Sequence, residues 1–151
     1  MDKNDITKTL DRLVETSKDG EFGFQTCAEH AKDPALRQSF LTRAADCRQA
    51  ASELQSVIRT LGGTPEDGGT ASGAMHRGWV AVKGTLAGYT DLALLEEAER
   101  GEDVALGAYR KALKEDLPAD IRMLVQRQAD GAQRNHDQIR ALRDQARTMK
   151  A

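Results

Sequence analysis

Aromatic residues make up only 4% of this 151-residue chain, and prolines number three. No segment alternates apolar and polar residues as a half-buried strand does, so the pattern excludes a β-sheet protein. Neither sign of charge is in large excess: 22 lysines and arginines stand against 24 aspartates and glutamates, a net charge of −2. The signs are mixed along every segment, with no basic stripe or polycationic tail, which argues against nucleic acid or an anionic membrane as partner. No apolar stretch reaches the roughly 18 residues needed to cross a bilayer. The first residues, Met1-Asp2-Lys3-Asn4-Asp5, lack the apolar run of a signal peptide. Cys27 and Cys47 have no CxxC spacing, and a reducing cytoplasmic location is expected. The patterns G-x-x-x-x-G-K, G-x-S-x-G, H-E-x-x-H and paired CxxC are missing, so phosphate-loop, catalytic-triad and zinc-hydrolase chemistry find no support.

What the chain does have is helical periodicity over nearly its whole length. A content of 39% hydrophobic and 30% charged residues suits one helical domain with an alanine- and leucine-rich core. The spacing of Ile6, Leu10, Leu13, Phe24, Ala28 and Ala31 predicts a first helix over about 5–31. Asp33-Pro34 reads as an N-cap followed by a first-turn proline. It opens a second helix over 34–61, with Leu36, Phe40, Cys47, Ala51, Leu54 and Ile58 on one face and Gly62-Gly63 as its stop. Residues 62–73 have the composition of an irregular connection. A short amphipathic helix over 74–87 follows, carrying Met75, Trp79, Val82 and Leu86. The last two helices are expected over 91–115 and 118–148, the second opened by Pro118.

Connection lengths then set the topology. Two tight turns make two antiparallel hairpins, whereas the stretch between the second and third long helices can travel the length of a helix, on the order of 40 Å. Two hairpins joined by one long crossover is the connectivity of an all-α, ferritin-like antiparallel four-helix bundle. A faint internal repeat agrees. At an offset of 81 residues Glu15 matches Glu96, Gly20-Glu21 matches Gly101-Glu102, and Ala31 matches Ala112. At 84, Pro34-Ala35 matches Pro118-Ala119, Arg43 matches Arg127, and Ala45-Asp46 matches Ala129-Asp130.

The sharpest anomaly is a pair of glutamates on apolar faces. Glu21 lies one turn from Ser17 and near Phe24, inside the first helix's stripe, and Glu102 sits among Leu95, Ala98, Ala105 and Tyr109. A carboxylate facing a bundle core needs a partner or a cation; the alternative is that each points outward at the stripe's edge. Gly20 and Gly101, which precede them, cost roughly 1 kcal/mol each relative to alanine within a helix, which suggests close helix approach or a local bulge.

The spacing Glu102-x6-Tyr109 resembles that of ferritin-like helices, with Glu21 and Ala28 its weaker counterpart. Together with GGTPEDGG, AMHRGW and EEAERGED…AY, it makes the whole chain similar to a bacterial family of uncharacterised ferritin-like four-helix-bundle proteins. The resemblance implies the fold. It also implies a place for two metal ions, where two helices each supply a glutamate and the other two each supply Glu-x-x-His. On those other two helices the core-facing pairs are Cys47 with Ala50 and Ala132 with Asn135. A shifted register offers Asp46 with Gln49, or Gln133 with His136, and only His136 is a strong ligand type.

The metal candidates are thus Glu21, Glu102 and His136, the remainder of a degenerate dinuclear site, with no cofactor as the first expectation and iron or manganese as the alternative. His136 reads either as a half-buried histidine bonded to a neighbour or as a residual ligand. His76 caps or pairs beside the Trp79 anchor, and His30 favours the first helix's dipole. Cys47 reads as a small core residue with no basic neighbour on its face, and a Cys27–Cys47 disulfide is excluded by a height difference of roughly 12 Å. The run from Glu96 to Asp103 reads as a mostly solvated acidic face. The leading functional expectation is a non-catalytic structural or interaction protein, tied to stress responses by the family resemblance alone. In it Glu102 is an uncompensated buried charge, and Glu102→Leu keeps or raises the melting temperature. The alternatives are an iron or manganese oxidase or store, and a module that docks a protein partner through Trp79. A homodimer is a further possibility.

Overall fold

The structure, a computed structural model, describes residues 1–64 and 90–150. These form four long helices: α1 (Lys3–His30), α2 (Pro34–Thr60), α3 (Asp91–Leu113) and α4 (Ala119–Lys150). The expected short helix over 74–87, with His76 and Trp79, lies outside the described residues.

Helix ends follow local chemistry. The Asp2 carboxylate accepts the Asp5 N–H at 2.9 Å, so α1 begins two residues earlier than its apolar stripe alone suggests. Asp33 accepts from the Ala35 N–H ahead of Pro34, and Thr90 accepts from the Ala93 N–H. Gly62, at φ 86°, takes the left-handed conformation that closes α2, while the Gly63 N–H returns to the Ile58 carbonyl. In both hairpins an arginine near the start of the second helix caps the end of the first. Arg37 donates to Ala31 O, and Arg122 donates to Leu113 O and Glu115 O.

Contacts at the two ends fix the topology. Asp91, at the start of α3, accepts from the N–H groups of Lys32 (2.8 Å) and Asp33 (3.1 Å) in the α1–α2 turn. At the far end Thr9 of α1 hydrogen-bonds Glu115, just past α3. Helices α1 and α3 are therefore antiparallel neighbours. Because α2 starts from the turn that Asp91 holds, α2 and α3 run the same way, and the chain between them must cover the bundle's length of about 40 Å. This is the expected ferritin-like connectivity.

The core is split in two. One cluster joins Leu10, Leu13, Val14, Leu54, Ile58, Leu106, Ile121 and Val125; the other joins Phe24, Cys27, Phe40, Ala44, Leu94, Ala98 and Ile139. Between them, at mid-height, lies a polar layer that includes Ser17, Glu102 and His136, all buried.

The acidic run of α3 is not the solvated face its composition suggests. Glu97 is buried beside Arg100, Glu96 pairs with Arg147 at 2.9 Å, Glu99 pairs with Arg143, and Asp103 meets His136 at 2.7 Å. Three of these pairs tie α3 to α4 at successive turns. The exposed Glu96–Arg147 pair contributes about 0–1 kcal/mol, whereas Glu99–Arg143 is largely buried; together the contacts set the register of α3 against α4.

Candidate functional site

At mid-height the helices leave a chamber of about 260 Å³. Gly20, Gly101 and Gly131 line it, one each from α1, α3 and α4. The Gly20 position also answers a packing demand, because a Cβ there would meet Cys47 Sγ at 2.8 Å. Close approach of α1 and α2 is thus the reason for a mid-helix glycine.

Glu102 projects into this layer with 2% of its side chain exposed. Burial raises its carboxyl above the ordinary range, and Arg43 and Asn135 offset part of that rise. The Arg43 guanidinium donates through Nη2 to Oε1 at 3.2 Å, and Asn135 Nδ2 donates to Oε2 at 3.2 Å. Arg43 is itself 11% exposed and lies over the Phe24 ring, 5.9 Å from its centroid. Phe24 in turn packs against Phe40, centroid to centroid 6.1 Å. An arginine on α2 therefore supplies the cation that the buried glutamate needs, and the expectation of an uncompensated charge at Glu102 is corrected. The signal was in the sequence: Phe40, Arg43 and Cys47 sit at i, i+3 and i+7, which puts Arg43 on the buried face of α2.

The other two candidates go elsewhere. Glu21 stands at the flank with its side chain 18% exposed, and Arg48 Nε donates to it at 2.7 Å. His136 is buried more deeply than half. Its Nε2 lies 2.7 Å from Asp103 without hydrogen-bond geometry, and its Nδ1 lies 3.4 Å from Asp137. Among the described residues no three of His, Cys, Asp or Glu gather so as to hold a metal ion. A dinuclear metal does not fit these side chains, because a guanidinium holds the Glu102 carboxylate and Cys47, Ala132 and Asn135 stand where ligands would be required. The internal repeat does not extend to the ion pairs either. Arg43 pairs with Glu102, but its counterpart Arg127 pairs with Glu53 at 3.1 Å rather than with Glu21.

The remaining wall is hydrogen-bonded. Tyr109 O–H donates to Gln128 Oε1 at 3.0 Å, while Gln128 Nε2 donates to Ala50 O and to Glu53. Burial pushes the phenol up to about 12. Cys47 does have a basic neighbour, Arg43, which favours its thiolate, yet burial outweighs it and the thiol is pushed up to about 12. Burial does the same to Cys27, and both cysteines are free. Alkylation by iodoacetamide at neutral pH is accordingly expected to be at least a hundredfold slower for both thiols in the native protein than in denaturant. Rapid native labelling of either cysteine would refute the burial argument.

The fold matches solved structures at low identity. Mycobacterium smegmatis Dps in a tetragonal form is 18% identical with a TM-score of 0.78, over 92% of this chain and 86% of that one. A C-terminal deletion mutant of M. smegmatis Dps is 17% identical with a TM-score of 0.78, over 93% and 98%. A dodecameric thioferritin, the bacterioferritin-related protein of Bacteroides fragilis, is 14% identical with a TM-score of 0.79, over 99% and 91%. At such identities the likeness is one of fold. No curated protein matches the chain. Among the described residues no helix is long and apolar enough to cross a membrane. A family model matches residues 5–115, which take in α1, α2, the connection and α3, so the chain belongs to the family described as a domain of unknown function, DUF2383.

Proposed function

We propose that this protein is a non-catalytic, ferritin-like structural subunit, whose mid-bundle metal position has been replaced by an internal ion pair. The observation that carries this reading is the Arg43–Glu102 pair, with Asn135 on the second carboxylate oxygen. The buried carboxylate already has a counter-charge that offsets part of the cost of its burial, the part a divalent ion would otherwise play. Cytoplasmic residence accords with two free, buried thiols. Assembly with further copies, a homodimer at the least, accords with the dodecameric state named for the B. fragilis neighbour. A part in stress responses extends the reading and rests on the family resemblance.

A second reading, iron or manganese handling through Glu21, Glu102 and His136, draws support from the ferritin-like fold. It requires all three side chains to leave their present partners, Arg48, Arg43 with Asn135, and Asp103.

Elemental analysis after incubation with iron(II) or manganese(II) and desalting separates the two. The non-catalytic reading expects fewer than about one ion per ten chains, and the same value for Glu102→Gln. Near-stoichiometric metal that disappears in Glu102→Gln and in His136→Ala would replace it with the second reading.

A further inference from the structure

The mid-bundle chamber has hydrogen-bond donors to spare. Arg43 spends Nη2 on Glu102, but its Nε is buried and has no hydrogen-bond partner. Leaving such a donor unpaired costs about 1–3 kcal/mol, more for a charged group, so an acceptor is called for beside it. The chamber communicates with a groove between α2 and α4, since Arg43, Asp46, Gly131 and Arg134 line both. Arg134 is exposed and makes no ion pair among the described residues, whereas Arg127 nearby is held by Glu53. Two guanidinium groups with unspent donors therefore flank one passage, one at its mouth and one at its end.

The acids in the passage do not cancel this. Each oxygen of Glu102 accepts from a donor already, Oε1 from Arg43 and Oε2 from Asn135, Asp46 is exposed at the rim, and Asp19 stands on the α1 wall with interactions of its own. Glu53 is neutralised by Arg127. At about 260 Å³ the space admits a tetrahedral oxyanion with several waters, each water needing about 30 Å³. Gly131 leaves the way in open, and a Cβ added there would meet nothing closer than Arg134 Nη2 at 3.6 Å.

The geometry points to a binding site for one phosphate-sized oxyanion in this chamber, held by Arg43 and drawn in past Arg134. The ion accepts from Arg43 Nε, and guanidinium suits such recognition because its donors match oxyanion geometry. With acids nearby, directed hydrogen bonds rather than net charge provide the affinity, and binding in the millimolar range is expected.

The test is calorimetric titration of the full chain with inorganic phosphate at constant ionic strength, chloride being the balancing anion. One saturable site per chain is expected. Gly131→Leu, whose Cβ meets only the Arg134 side chain at ordinary contact distance, obstructs the passage and improves helix propensity, and should weaken it at least tenfold while leaving the melting temperature unchanged or higher. Arg43→Gln should abolish it; should that variant not fold, Gly131→Leu alone decides. Absence of saturable binding in the parent protein, or binding that survives Gly131→Leu, overturns the proposal. Neither result depends on the metal content that tests the non-catalytic reading.

Discussion

Arg43→Leu is expected to lower stability by about 3–5 kcal/mol, the cost of stranding one member of a buried ion pair. In a chain of this size that amounts to a fall in melting temperature of roughly 6–20 °C. Arg43 is 11% exposed and Glu102 2%, so solvent screens little of the interaction. Glu102→Leu is expected to do comparable harm from the other side, because the guanidinium then lies unpaired over Phe24. Combining Arg43→Leu with Glu102→Leu should recover most of the loss, since well-packed hydrophobic replacements of whole buried pairs are often neutral or stabilising. Thermal unfolding of the two single variants and the double variant measures all three. Single variants melting within about 2 °C of the parent would show that the pair does not hold the polar layer together.

The same carboxylate gives a pH dependence of stated sign. Burial raises the folded-state pKa of Glu102 above its unfolded value, so between those two values the native state binds the proton that the unfolded state has released. The contribution of Glu102 to stability is therefore full below its unfolded pKa and declines as pH rises through the folded one. Glu102→Gln removes the titrating group and should flatten that part of the stability–pH curve.

The second large effect is expected at Phe24. Truncation to alanine deletes a fully buried ring, and such changes cost about 3–5 kcal/mol. Phe24 meets both Phe40, at 6.1 Å between centroids, and Arg43, at 5.9 Å. A double-mutant cycle between Phe24→Leu and Arg43→Leu isolates the second contact and should return a coupling of about 0.5–2 kcal/mol. Urea denaturation is the direct measurement. A loss below about 1 kcal/mol for Phe24→Ala would mean that the cluster around Phe24 and Phe40 closes over the gap and that the ring does not position Arg43.

Much of the candidate site is legible in the sequence. Glu102 announces itself because it interrupts an apolar stripe on α3, and burial there follows from helical period alone. Gly20 suggests close approach in the same way, and Cys47 Sγ is the atom that requires it. The partner of Glu102 was harder to read. Long arginine side chains reach across helices, so placing Arg43 on the face of α2 does not say whether it turns inward to Glu102 or outward to water. Glu21 shows the converse: it borders an apolar stripe as closely as Glu102 does, yet at the flank Arg48 reaches it from solvent. His136 was underestimated for a related reason. Its Nε2 meets Asp103 of α3, whose height against α4 no single-helix pattern records.

By itself the sequence determined the four long helices, their caps and stops, and the need for one long crossover. These depend on residue period, local hydrogen-bonding side chains and chain length, all of which are properties of neighbours along the chain. Only the tertiary structure decided how the mid-bundle charges are satisfied. Pairing within a few ångströms depends on the relative height and rotation of separate helices and on which rotamer each long side chain adopts, and so it decided that a guanidinium rather than a cage of ligands faces Glu102.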